Sequence, residues 1–370
     1  MRIAVIHQGG DITNDYAAYL SSLLDESARQ KGYAIYDYWQ LKRFRENIKS
    51  ENALLHIIVP DGKAFTMNRW YKRKLHSLFK KYRIDAALCL YGISANSTVP
   101  QFMAFFDKDF LPAEKTAPYW KKYAAKNFEK SVSAAKTILT YSETASKNFT
   151  QKINLSKPPN VIPFTADAVF EPMEWHNKIY IKSRYADSKE YFLSVLPDDD
   201  EKRFTDLLKA FSKFKKWQQS NMKLLLLPKE EQFANTLYKK LDSYKYREDV
   251  TFINDADTKG TADIFAAAYT FIHNGESDAD LWHVAAAIKC AVPVIAYTAE
   301  SLKEYCGEAL LPASEKNSES LGEQIIHLYK NEGLRTNMSE TAAEQAKKFP
   351  ADAAEKLWFL VASNLQNSSS

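Results

Sequence analysis

Residues 268–296, AYTFIHNGESDADLWHVAAAIKCAVPVIA, limit the fold more than any other stretch of the chain. An apolar run (YTFIH) leads into a polar loop (NGESDAD), then an apolar helix (LWHVAAAIKC) and a second apolar run (VPVIA). Unbroken apolar runs of this length suit parallel strands covered on both faces. Two such strands joined through a helix form a βαβ unit, and the loop lies beyond the carboxyl end of its strand, where open α/β sheets bind ligands. Of the loop's acids, Glu276 and Asp278 are the candidates for meeting a ligand, with His273 and His283 flanking it. A single histidine at such a place is more commonly a packing residue than a catalyst.

The same rhythm repeats along the chain. Apolar runs at 2–7, 34–38, 54–59, 86–91, 101–106, 137–141 and 160–164 alternate with helical patterns at 15–31, 70–82 and 120–133 and after Ser142. Gly9-Gly10 follows the first run, either as a loop that lets a phosphate approach or as a bare turn. Residues 173–189, after Phe170-Glu171-Pro172, read as polar and irregular. A second series of runs then begins at 191–196, 223–227, 250–253, 269–273, 292–296 and 309–311, with three closing helices to about residue 366. Strands alternating with helices specify an α/β fold with parallel sheets. The expectation is two tandem Rossmann-like doubly wound domains facing a cleft. The N-terminal domain covers 1–165, a linker 166–188 and the C-terminal domain 189–348, with a helix at 349–366 crossing back to the N-terminal domain.

Bulk properties narrow the function. A chain of 370 residues exceeds one ordinary core. No apolar run approaches a membrane span, and MRIAVIHQGG reads as a first strand and not a signal peptide. Three cysteines without C-x-x-C spacing fit reduced, structural thiols in a cytoplasmic protein. The seven histidines form no metal-binding pair, so no protein-built metal site is expected. Residues 1–170 hold 25 Lys and Arg against 15 Asp and Glu, whereas the remainder holds 25 against 31. One half is basic and the other acidic, which fits two domains with different partners. No nucleic-acid-binding module accompanies the charge, so nucleic acid is not an expected partner. Residues 69–83, RWYKRKLHSLFKKYR, join seven cations to an aromatic and leucine stripe. This is either a solvated basic face or a peripheral contact with an anionic membrane surface.

Several segments carry a family resemblance. Residues 191–211, YFLSVLPDDDEKRFTDLLKAF, are similar to the strand–loop–helix that opens the donor domain of the family 4 type of retaining glycosyltransferases. AIKCAVPVIA…SLKEYCGEAL (287–310) resembles that family's helix-to-strand segment. Val99-Pro100-Gln101…Asp107…Phe110 and AKTILTYSE (135–143) resemble segments on its acceptor side, and 349–358 its closing helix. The resemblance implies the two-domain GT-B fold. It also implies transfer of a sugar, with retained configuration, from a nucleotide-sugar to a glycan or lipid-linked acceptor, as in cell-surface polysaccharide synthesis. The nucleotide-diphosphate sugar would be a substrate, with no separate cofactor and no metal.

Aligned without gaps, the family's loop pattern E-G-F-G-x-P-x-x-E places Asp278 at the first Glu, Ala279 and Leu281 at the glycines, and Ala286 at the second Glu. In the family that second carboxylate holds the ribose; its loss forfeits about 1.5–3 kcal/mol of charge-assisted hydrogen bonding. The paired cations that steady the donor diphosphate fall near Glu201 and Lys202, with Arg203 beside them and Asp198-Asp199-Asp200 before them. The acidic run reads as a helix cap, with a Mg²⁺-recruiting cluster as the alternative. By the resemblance, Lys202 and Asp107 are the candidate catalytic residues, and Lys202, Arg203, Glu276, Asp278 and His283 would contact the donor. Gly9 and Gly10 line the phosphate or acceptor side. The alternative is a catalytically inactive relative that binds a glycan or a protein partner.

Overall fold

The structure is a computed structural model describing residues 1–7, 16, 19–25, 34–39, 53–58, 64–90, 92–105, 119–155, 157–196, 201–228, 237–254, 256–275, 281–297, 300–350 and 353–366. Two compact units divide the chain: Met1–Pro163 with Ala351–Ser370, and Phe164–Pro350.

The first unit contains a seven-stranded sheet in the order β3-β2-β1-β4-β5-β6-β7. Its strands are β1 (Arg2–His7), β2 (Ala34–Trp39), β3 (Ala53–Ile58), β4 (Ala86–Cys89), β5 (Gln101–Ala104), β6 (Thr137–Thr140) and β7 (Asn160–Val161). Every pairing is parallel. The order reverses between β1 and β4, the arrangement of a doubly wound sheet. Helices α1 (Ala64–Arg69) and α2 (Leu75–Tyr82) are joined by a π turn, Trp70–Lys74. Then come α3 (Tyr119–Lys126), α4 (Phe128–Ala134) and α5 (Glu143–Ile153). Ser142 caps α5, its Oγ accepting from the Ala145 N–H at 2.9 Å. The core of this unit packs Met67, Trp70, Tyr71, Leu75 and Phe79 against Ala4, Ile6, Ala87 and Met103.

The second unit has a six-stranded sheet, β10-β9-β8-β11-β12-β13, again all parallel. The strands are β8 (Tyr191–Leu196), β9 (Lys223–Pro228), β10 (Val250–Phe252), β11 (Thr270–His273), β12 (Val294–Tyr297) and β13 (Leu310–Ala313). Its helices are α6 (Trp175–Tyr185), α7 (Glu201–Trp217), α8 (Thr258–Ala267), α9 (Leu281–Lys289), α10 (Glu300–Cys306), α11 (Ser318–Lys330) and α12 (Glu332–Ala346). The order reverses between β8 and β11, so the βαβ unit at 268–296 borders the switch point. A last helix, α13 (Ala353–Gln366), belongs to the first unit.

Helices α7 and α11 approach closely because position 322 is glycine: a Cβ there would lie 3.1 Å from the Ala210 carbonyl oxygen. Phe192, Phe211, Phe214 and Tyr329 fill the space beside them. Three buried lysines have carboxylate partners: Lys215 with Asp249 at 2.8 Å, Lys223 with Asp187 at 2.9 Å, and Lys182 with Glu190. Pairing is what makes burial of an ammonium tolerable.

One segment differs from the sequence reading. The supposedly irregular 173–189 contains helix α6, and the second unit begins at Phe164, so the expected linker lies within that unit. The helix carries no apolar stripe in the sequence because most of its large apolar residues face outward. Trp175, Ile179 and Tyr180 are exposed, whereas Ile181 and Lys182 are buried.

Candidate functional site

Strands β8 and β11 end side by side, since Phe192 and Leu193 pair with Thr270 and Phe271. Ser194 Oγ donates to the Ile272 carbonyl at 2.8 Å and ties the strands further along. Helix α7 starts after β8 and α9 after β11, so two helix N-termini border one sheet edge. Helix N-termini favour anions through unpaired N–H groups and the helix dipole.

At the end of β11 the chain reads His273, Asn274, Gly275, all buried. Asn274 Nδ2 donates to the Arg203 carbonyl at 2.7 Å, fastening the first turn of α7 to the end of β11. The Asn274 Oδ1 atom is buried and has no hydrogen-bond partner among the described residues. Such an oxygen costs about 1–3 kcal/mol unless a ligand or water meets it. A Cβ at Gly275 would lie 2.8 Å from His273 Nε2 and 3.0 Å from an Arg203 terminal nitrogen. The missing side chain therefore lets a guanidinium and an imidazole close over the strand end.

Of the two expected cations, Arg203 reaches this place. Lys202 has a side chain 70% exposed and pairs with Asp206, one helical turn on, at 3.2 Å. Glu201 is drawn to Lys240. His283 lies on α9, half-buried, its ring 5.1 Å from that of Trp282, which packs edge-on against Phe170 at 5.4 Å. Gly9, Gly10, Asp107, Asp198, Asp199, Asp200, Glu276, Asp278 and Ala279 lie outside the described residues. Leu281 and Ala286, which the resemblance sets against a glycine and the ribose-holding Glu, are fully buried on α9. Among the described residues no group of three or more His, Cys, Asp or Glu could hold a metal ion. No helix among them is long and apolar enough to cross a membrane.

The sequence reading passed over Asn274 and Gly275. The available signal was an Asn-Gly pair directly after a fully apolar run, at the carboxyl end of a strand. There a small residue serves close approach as readily as a turn.

Residues 177–345 match the family described as Glycosyl transferases group 1. No curated protein matches the sequence. Among solved structures, a glycosyltransferase from Rickettsia africae is similar at TM-score 0.75 and 14% identity, with 99% of each chain covered. HepE of Anabaena in complex with UDP-glucose is similar at TM-score 0.71 and 12% identity, covering 99% of this chain and 100% of that one. WaaG, a glycosyltransferase involved in lipopolysaccharide biosynthesis, has TM-score 0.69 at 14% identity, covering 98% and 99%. The chain thus has the paired Rossmann-like domains of the GT-B fold, and its residues 177–345 match the glycosyl transferases group 1 model.

Proposed function

We propose that the protein transfers a sugar from a nucleotide-diphosphate sugar to a glycan or lipid-linked acceptor, with retained anomeric configuration, in cell-surface polysaccharide synthesis. The observation that carries this reading is the cluster at the end of β11. Arg203 and His273 close over Gly275, and Asn274 Oδ1 is a buried acceptor with no partner among the described residues. Negative charge grows on the leaving diphosphate in the transition state, and a fixed guanidinium at a helix N-terminus stabilises it without a metal. Lys202 adds charge at the rim, and His283 on α9 stands at the same sheet edge. Glu276 and Asp278 are left to meet the sugar hydroxyls, and Gly9, Gly10 and Asp107 to serve the acceptor. HepE, similar over its full length, was crystallised with UDP-glucose, which makes that donor the first to try. The basic face of residues 69–83 fits peripheral contact with the inner surface of a membrane, with the chain in the cytoplasm.

A second reading has its own observation. Leu281 and Ala286 are core residues, so the positions assigned to diphosphate approach and ribose binding hold no polar group. An inactive relative that binds a glycan or a protein partner fits this.

Calorimetric titration with UDP-glucose and GDP-mannose, with and without Mg²⁺, separates the two. Micromolar binding that Arg203→Ala abolishes supports transfer; NMR of the product's anomeric proton then reads retention. Absence of binding at millimolar donor refutes transfer and leaves the inactive reading.

A further inference from the structure

The first unit carries a shallow, solvent-open depression formed where the π turn, the loop after β4 and helices α3 and α4 meet. Lys72 and Lys130 line it, together with Ser94, Asn96 and Asn127, and no acidic residue does among the described residues.

Its walls are fixed before any ligand arrives. The π turn Trp70–Lys74 interrupts the usual helical bonding, and the Tyr71 carbonyl accepts from the Asn96 N–H at 2.9 Å. Single π turns of this kind recur at functional sites. Ala95 is held at both backbone groups by the Gln101 side chain, at 2.7 and 2.9 Å. The Ser94 N–H goes to Ser131 Oγ at 3.1 Å. Three consecutive N–H groups are thereby satisfied within the protein; the Asn96 amide and the Ser94 hydroxyl, which accepts from Ser131 Oγ at 3.4 Å, are the loop's polar lining. Across the depression, Asn127 Nδ2 donates to the Tyr123 carbonyl at 2.8 Å, and the Tyr71 and Tyr123 rings stack at 5.7 Å. The π turn is therefore braced against α3.

The charge on these stretches is mainly positive. Arg69, Arg73 and Lys74 are exposed beside Lys72, and Lys122 and Lys126 precede Lys130, with Glu129 the one acid among the described residues of 69–74 and 119–130. Such a field raises the local concentration of anions. Two ammonium groups act as point charges with rotatable donors, and hydroxyl and amide groups add neutral partners. The ligand that matches is a compact anion with several acceptor oxygens on one centre.

We propose that this depression is a seat for a phosphate ester, held between Lys72 and Lys130. The seat is formed by residues of the first unit alone and does not depend on sugar transfer. A phosphate ester reaches it either as the headgroup of an anionic glycerophospholipid or as a soluble molecule.

Two probes distinguish these sources: glycerol 1-phosphate in calorimetric titration, and flotation with phosphatidylglycerol vesicles compared with phosphatidylcholine alone. The test variant is Lys72→Gln with Lys130→Gln. The charge-matched control is Lys80→Gln with Lys81→Gln, on the same helical segment but outside the lining. All four lysines are exposed, so both variants keep the core, and circular dichroism checks this. The test variant is expected to lose about tenfold in binding while the control stays within about twofold. Binding of glycerol phosphate identifies a soluble ester; retention on phosphatidylglycerol vesicles alone identifies a lipid headgroup. Equal losses in both variants reduce the seat to diffuse positive charge and overturn the proposal. Failure of the parent chain to bind either probe also overturns it.

Discussion

Asn274 and Arg203, 71 positions apart, are joined by a 2.7 Å hydrogen bond from the Asn274 side-chain amide to the Arg203 backbone carbonyl. The bond sets the first turn of α7 against the end of β11, and with it the guanidinium that the proposed mechanism uses. Asn274→Ala removes a buried partner and should cost about 1–3 kcal/mol. Asn274→Asp keeps the volume but presents an acceptor to an acceptor, and should be at least as damaging. Both should lower the urea midpoint and weaken UDP-glucose binding. Midpoints equal to the parent's would show that the contact does not anchor α7.

Gly275→Ala tests the cluster differently. The new Cβ meets the far ends of His273 and Arg203, at 2.7 Å and 3.0 Å, and those side chains can swing away. Stability should change by less than about 1 kcal/mol, while donor binding should fall by about tenfold. A calorimetric titration beside a thermal melt reads both. A variant that binds donor as tightly as the parent would remove Arg203 and His273 from the donor site.

Helix α9 ends in a Schellman motif whose left-handed position is not glycine. The Val292 N–H bonds the Ala287 carbonyl at 2.9 Å, the Ala291 N–H bonds the Ile288 carbonyl at 3.0 Å, and Ala291 has φ +58°. A Cβ in this region costs about 1 kcal/mol. Ala291→Gly should therefore stabilise the protein by about 0.5–1 kcal/mol, net of the entropy glycine adds to the unfolded chain. Urea unfolding measures this, and a lower midpoint would refute the strain.

Arg335 hydrogen-bonds Glu332 and holds its carboxyl below the usual carboxylate range, with Tyr269 adding a bond at 3.1 Å. A depressed folded pKa means the contribution is present above the unfolded value, about 4.3. It is lost as pH falls through the lower folded value. Because Glu332 is 61% exposed, the effect should stay below about 1 kcal/mol. Glu332→Gln should lower stability at pH 7 by up to that amount, leave it unchanged in strong acid, and so flatten the acid limb of the stability curve. An unaltered acid limb would exclude the pair as its source.

Burial raises the thiols of Cys89 and Cys290 to about 12 and pushes Cys306 higher still. Thiolate is the reactive form, so all three should resist a thiol reagent at pH 8 until urea unfolds the chain. Fast labelling of the native protein would contradict this burial.

The strands were legible because parallel strands covered on both faces leave unbroken apolar runs. Residues 191–196 were placed to the residue, and the edges of β5 and β7 were overextended because burial continues past the last ladder bond. Helix α6 was not legible: its large apolar side chains face water, which inverts the pattern that periodicity detects. The π turn was also hidden, since one inserted residue leaves the apolar spacing of 70–82 nearly intact. Lys202 and Arg203 are adjacent in sequence, yet helix geometry sends them to different places: Lys202 to solvent beside Asp206 and Arg203 to Gly275. Only contacts distant in sequence decide between two such neighbours.

Gln101 occupies the first position of β5 and grips both backbone groups of Ala95 with its side-chain amide. The amide thereby acts as a substitute peptide unit, extending the ladder sideways into a segment that has no strand of its own. Residues 93–96 should then open only when the sheet itself opens. The Ala95 amide proton, though it belongs to a loop, should exchange with deuterium as slowly as those of β4, and Gln101→Ala should release it by orders of magnitude while β4 stays protected.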